Sequence, residues 1–435
     1  MRNSILHSAL NVSMEGIDPN ASAEINPVTE ETIVQVDEVL EEAREDSASV
    51  DEHDEAVEEL SDAAESMESL IASLESAIAD GGLSPQAADI HSRALAIATR
   101  RLPIDASEFT VSTESFGGTG DKLQASMEAL EGAKALLAKI WEAIKNAVVG
   151  AWNAVKAFFA SMGKSGPAVV AAGQSLKKRA AETKDNGAGA GGTINMGSAG
   201  DYLVVGGKVA PAAALAAINH GYDVGVKGYT NKILAALNPL YQSIQKGEVH
   251  PDRLKSVAGS INVEACLTED MKGKLPGGYF FDLTVSDKEG LDGLADASLK
   301  LSQDKGAKVA AAEGDIPTVD EISKLADQIV NMGKLIISSK AVAGMAEKGI
   351  NDAVKAGNSL VSKGDTLDKA EAGSAKAVLA KLNKAARLTT GCSHQYLSFM
   401  GSAAKASASF GAKVLSMYGK AAKKADAAAA AAPAA

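Results

Sequence analysis

Between Asp121 and Met162, apolar side chains return every three or four residues: Leu130, Leu137, Ile140, Trp141, Ile144, Val148, Trp152, Val155, Phe159 and Met162. That spacing gathers them on one side of an α-helix, while Lys134, Lys139, Lys145 and Lys156 fall off the stripe. A helix this long cannot leave such a stripe in water, so either the rest of the chain or an outside apolar surface must cover it. Both tryptophans lie here, in an eleven-residue echo (Trp141-Glu-Ala-Ile-Lys145, Trp152-Asn-Ala-Val-Lys156) that fits a helical period. The covering material is small. Hydrophobic residues make up 46% of the 435 positions but aromatics only 4%, which favours helices packed closely on alanine faces. The expected class is mainly α.

The net charge of −13 conceals two segments of opposite sign. Residues 1–114 hold 26 Asp/Glu against five Arg, a net of −21, and the first lysine is Lys122. Residues 115–435 carry +8, and all of it comes from beyond residue 330, where 15 Lys/Arg face six Asp/Glu. This describes an acidic helical N-terminal arm attached to a basic body. In the arm, Ile33, Val36, Val39, Leu40 and Ala43, then Leu60, Ala64, Met67, Leu70, Leu74 and Ile78, predict two acidic amphipathic helices, with a third over 84–100. With Phe109 its one aromatic, the arm is expected to order only against a partner.

Residues 103–120 combine Pro, Ser, Thr and Gly in the manner of an exposed connector. The divisions that follow are 1–114, a propeptide-like arm; 115–185, the long amphipathic helix; and 186–200, a Gly-rich linker. A small α+β region covers 201–317, with strands at Tyr202–Val205 and Tyr279–Val285 and helices near 210–246 and 289–303. Basic Ala/Lys-rich helices occupy 318–424, breaking at Gly364-Asp365 and Thr390-Gly391, before an Ala-rich tail over 425–435.

No pattern for catalysis, a metal or a cofactor emerges. Gly163-Lys164-Ser165 lacks the upstream glycine of a phosphate loop, since that position is Phe158 inside the long helix. The Gly run at 187–192 follows no strand. Cys266 and Cys392 are too isolated for a disulfide framework, which points to a reducing compartment, and Cys392 with His394 is expected as a buried thiol beside a surface imidazole. The six histidines have no metal-ligand spacing. No apolar run reaches membrane-spanning length, and the start lacks a signal-peptide pattern. Helix 121–162 admits two readings, the organising helix of the body or an interfacial helix of a secreted or ejected membrane-active effector. The C-terminal cations Lys376, Lys381, Lys384, Arg387, Lys413, Lys420, Lys423 and Lys424 likewise form either a DNA-neutralising surface or an ordinary solvated face.

The tripeptide Ser-x-Glu occurs at Ser13, Ser22, Ser66, Ser73, Ser112 and Ser126 and not after residue 128. Ser112-Thr-Glu114 stands in the connector, at the charge boundary. Acidic arm, tripeptide and basic helical body together resemble the internal head (inner body) proteins of giant tailed phages of the phiKZ type. The resemblance implies a non-enzymatic virion structural protein, made in the host cytoplasm and packaged in the capsid interior with other head proteins and the DNA. It further implies an acidic propeptide removed by a prohead protease that cuts after glutamate. Ser112 and Glu114 would then be recognised and the bond from Glu114 to Ser115 broken, with Ser126 and Glu128 as the second candidate. Removal would turn the net charge from −13 to +8.

Overall fold

The computed structural model describes residues 30–100, 102, 121–184, 192–266, 269–304, 313–363 and 369–431. Glu30–Ala79 forms a single helix, α1, of 50 residues where two were expected. The reason is that neither Gly nor Pro interrupts this stretch. Gly81 and Gly82, at φ +97° and +98°, turn the chain, and Ser84 caps α2 (Pro85–Thr99) by accepting from the Ala87 N–H.

The next helix, α3, spans Asp121–Glu182, so at about 1.5 Å per residue its 62 residues extend about 93 Å. It passes the expected end at Met162 without a break, through Gly166 and Pro167. Val169, Ala172, Leu176 and Ala180 prolong the buried stripe there, and burial outweighs the amide lost at the proline. Gly163-Lys164-Ser165 is thus one turn of this helix.

Among the described residues, the strands lie within 193–315 in three small antiparallel pairs. Strand β1 (Thr193–Asn195), inside the stretch expected as linker, pairs with β6 (Glu313–Asp315), because Ile194 finds a buried place. Strands β2 (Val204–Val205) and β3 (Lys208–Val209) form a two-residue pair. The longest ladder joins β4 (Tyr279–Thr284) to β5 (Ser298–Gln303), from Tyr279 opposite Gln303 to Thr284 opposite Ser298. The helix expected over 289–303 therefore divides: α8 covers Gly290–Asp296, and the chain then extends from Ala297 into β5. Between these strands run α4 (Pro211–Gly221), a π-helical turn (Tyr222–Gly228), α5 (Tyr229–Lys246), α6 (Pro251–Gly259) and α7 (Val263–Cys266).

Among the described residues beyond 318 run α9 (Val319–Ser338), α10 (Lys340–Lys363), α11 (Lys369–Ala386) and α12 (Ser393–Ala431). A capping box between Thr318 and Glu321 starts α9, and a 3-10 turn over Arg387–Thr389 with Gly391 at φ +47° redirects the chain into α12. The fold is mainly α, as expected.

α3 is the spine. α1 and α9 lie along it, and α12 touches all three. Two apolar cores result. The larger contains Val36, Leu40 and Val50 of α1 together with Phe158 and Met162 of α3 and Tyr396, Leu397 and Met400 of α12. The smaller joins Leu60, Met67 and Leu74 of α1 to Leu95 of α2 and to Leu136, Leu137, Ile140 and Ile144 of α3. The acidic segment therefore orders against its own chain rather than awaiting a partner. Its apolar stripe is what covers α3.

Candidate functional site

The C-terminal cations and the acidic helix meet in one seam. Going up α1, Asp51 reaches His394, Glu58 pairs with Arg387, and Asp62 pairs with Lys384. Higher still, the charge of Lys376 acts on Glu68. As the α1 numbers rise the partner numbers fall, so α11 and the start of α12 run antiparallel to the acidic helix. On α1 the steps of seven, four and six residues from Asp51 through Glu58 and Asp62 to Glu68 keep these side chains near one face of the helix.

The two sides of the seam are unequal. The side chains of Lys384 and Arg387 are 11% and 12% exposed, whereas Asp62 and Glu58 remain 60% and 46% exposed. The cations are thus the desolvated partners, and removing their carboxylates would leave buried charge uncompensated. Arg387 is tied further by its second terminal nitrogen to the Ala295 carbonyl at 3.4 Å. His394, expected on the surface, is buried: its side chain is 4% exposed, its Nε2 lies 3.0 Å from Asp51 Oδ1, and the Phe158 ring meets it edge-on. Gln395 donates to the same carboxylate at 3.2 Å and accepts from the Leu301 N–H at 2.8 Å, which links α1 to β5.

Of the other expected cations, Lys381 pairs with Asp292 of α8 at 2.7 Å, and Lys413 donates to the Asn195 carbonyl at 2.6 Å. Lys420, Lys423 and Lys424 stand on α12, with side chains outside the described residues. Ser112, Glu114 and Ser115 also lie outside them. Ser126 is buried on α3, where its hydroxyl donates to the Lys122 carbonyl at 2.6 Å and accepts from the Leu83 N–H at 2.9 Å. Glu128 is exposed on the same helix and accepts from Gln124 at 3.3 Å. Cys266 and Cys392 are buried free thiols, and burial pushes the Cys392 thiol up to about 12.

Burial also acts on the carboxylates. Desolvation lifts Asp54 to about 6 and Glu68 to about 7. His394 and Arg387 pull Asp54 back while Asp51 and Glu58 push it up, and Lys376 opposes Glu65 at Glu68. Glu68 Oε1 is buried without a hydrogen bond. Asp51 goes the other way: desolvation raises it, but the hydrogen bonds from His394 and Gln395 with the His394 charge hold it below the usual range.

Raised carboxylates bind protons more tightly in the folded state. Their contribution is complete below the ordinary carboxylate range and is lost as pH rises through about 6 to 7. We therefore expect a melting temperature a few degrees lower at about pH 8 than at about pH 5.5. The combined Asp54→Asn, Glu68→Gln variant should flatten that difference in thermal melts.

The sequence profile of the phiKZ-like phage internal head proteins matches residues 21–413. The chain belongs to that family. No curated protein and no solved structure matches. As an internal head protein it is a structural component of the phage head interior and associates with other head components. The match embraces the acidic helix, the whole seam and most of α12. No helix among the described residues of this internal head protein is long and apolar enough to cross a membrane. The stripe of α3 faces the molecule's own helices: Ile140, Ile144, Val155 and Met162 are buried, while Phe158 takes the fully buried place and the expected Phe159 is half-buried beside it.

Proposed function

We propose that this internal head protein is a non-enzymatic structural component made in a masked form, whose acidic segment holds the C-terminal cations away from nucleic acid. A prohead protease would cut the Glu114–Ser115 bond after recognising Ser112 and Glu114. Loss of residues 1–114 would then give a basic body for the packaged DNA. The single observation that supports this is the antiparallel seam, in which Arg387 and Lys384 are occupied by Glu58 and Asp62. Phosphate oxygens are the same kind of acceptor as those carboxylates, and they gain additionally from counterion release. Lys376, Lys381, Lys384, Arg387 and Lys413, with Lys420, Lys423 and Lys424, would contact phosphates without reading bases. No base-stacking aromatic is required for that.

The alternative cut after Glu128 would fall within the long helix α3. The cut in the connector is therefore preferred. Amino-terminal sequencing and mass spectrometry of the protein from mature heads should give a body beginning at Ser115, with peptides from residues 30–79 depleted. An intact chain in those heads would overturn the reading.

A further inference from the structure

The acidic helix sits in a shaped place. On α12, Gly401 leaves a notch into which Leu40 fits, and any Cβ there would collide with the Leu40 side chain. On α3, Gly150 lies under His53, whose Cε1 would be 2.8 Å from such a Cβ. Val36, Leu40, Val50, Leu60, Met67 and Leu74 are all at most 6% exposed, and they are divided between the two cores. Polar contacts run the same length: Ser161 donates to Asp46 at 2.6 Å, Lys164 pairs with Glu42 at 2.8 Å, and Lys134 pairs with Glu75 at 3.0 Å. None of these contacts depends on the chain being continuous between residues 102 and 121.

We infer that residues 30–100 stay on the body as a non-covalent subunit after that connection is severed, so that severing alone frees neither Lys384 nor Arg387. The surface formed by α3, α11 and α12 is an acceptor for an acidic amphipathic helix, and this chain's own segment is its occupant. A short tether contributes an effective concentration in the millimolar range, and this is all that cutting takes away. An interface that fills two cores and aligns a row of ion pairs does not depend on that factor. Departure of the segment needs a second event, such as further breakage within α1, where Ser66 and Ser73 of two Ser-x-Glu tripeptides are exposed. The inference takes from the proposed function only the place of the cut.

The test is a full-length chain carrying a site-specific protease sequence between residues 103 and 120, cut at about 10 micromolar and passed through gel filtration. The two pieces should co-elute in equal amounts, and the cut protein should bind duplex DNA no more tightly than the uncut one. Separation of the pieces, or a rise in DNA binding on cutting alone, would overturn the inference. In the cut protein, Leu40→Ala should shorten retention of the segment by about tenfold or more, and Gly401→Ala should do the same by filling the notch. Should Gly401→Ala not fold, Leu40→Ala alone decides, and unchanged retention there would overturn the notch as a holding element. An uncut chain in mature heads would defeat the proposed function and leave this result standing.

Discussion

Replacing Glu58 and Asp62 together with lysine is expected to make the uncut chain bind duplex DNA, with an affinity at low salt about two orders of magnitude above a charge-matched control. In the wild-type protein these carboxylates occupy Arg387 and Lys384. Lysines in their place set like charges against desolvated cations, which drives the middle of α1 outward and opens the seam. The control is Glu52→Lys with Glu55→Lys, which changes net charge equally at two exposed positions of the same helix. Each phosphate contact adds about 0.9 to the slope of log affinity against log salt, so two unmasked cations should steepen it by about 1.8 over the control. Fluorescence anisotropy across a salt series measures both quantities. Equal slopes for the two variants would show that the seam masks nothing.

Replacing Gly333 with leucine is expected to destabilise the fold by about 3 kcal/mol or more, with a midpoint shift visible in thermal or urea melts. At this crossing α3 and α9 touch through their backbones. A Cβ on Gly333 would lie 2.9 Å from both the Gly166 carbonyl oxygen and the Val170 nitrogen. Gly173 repeats the arrangement one stretch along, at 2.9 Å from the Ala326 carbonyl and the Val330 nitrogen. A longer side chain cannot turn aside from a backbone, so the helices must part, and Ile329, Met332 and Ile336 lose their burial. Gly333→Ala should cost less, because the higher helix propensity of alanine offsets part of the clash. An equal loss for alanine and leucine would rule out graded overpacking.

Much of this was legible in the sequence, because period and charge survive translation into three dimensions without knowledge of neighbours. The helix under the stripe from Leu130 to Met162, the helix over 84–100 and the redirection at Gly391 are all local signals, and each stands where expected. The single helix α1 was legible too, in a stretch without Gly or Pro. What sequence could not supply was pairing. Asp51 and His394 are 343 positions apart, and nothing local to Cys392-Ser-His394 distinguishes a buried imidazole from an exposed one. A signal for the seam did exist. Asp51, Asp54, Glu58 and Asp62 recur at three and four, as do Lys381, Lys384 and Arg387, yet such stripes ordinarily face water. The fate of Gly166 and Gly333 was likewise hidden, because a glycine needed for close approach and a glycine ending a helix look alike in one dimension.

The seam also has an order in time. A ribosome adding about 5–20 residues per second completes α1 long before it reaches Lys376. The chain has no lysine ahead of Lys122, so the acidic partner is finished first and stands waiting. Arg387 and Lys384 emerge 329 and 322 positions after the carboxylates they meet. A cell crowded with RNA would offer those cations polyanions at once, and the complement already tethered to the same chain competes for them from the moment they appear. On the proposed masking, a chain synthesised from its amino terminus meets Arg387 and Lys384 with their carboxylates already in place.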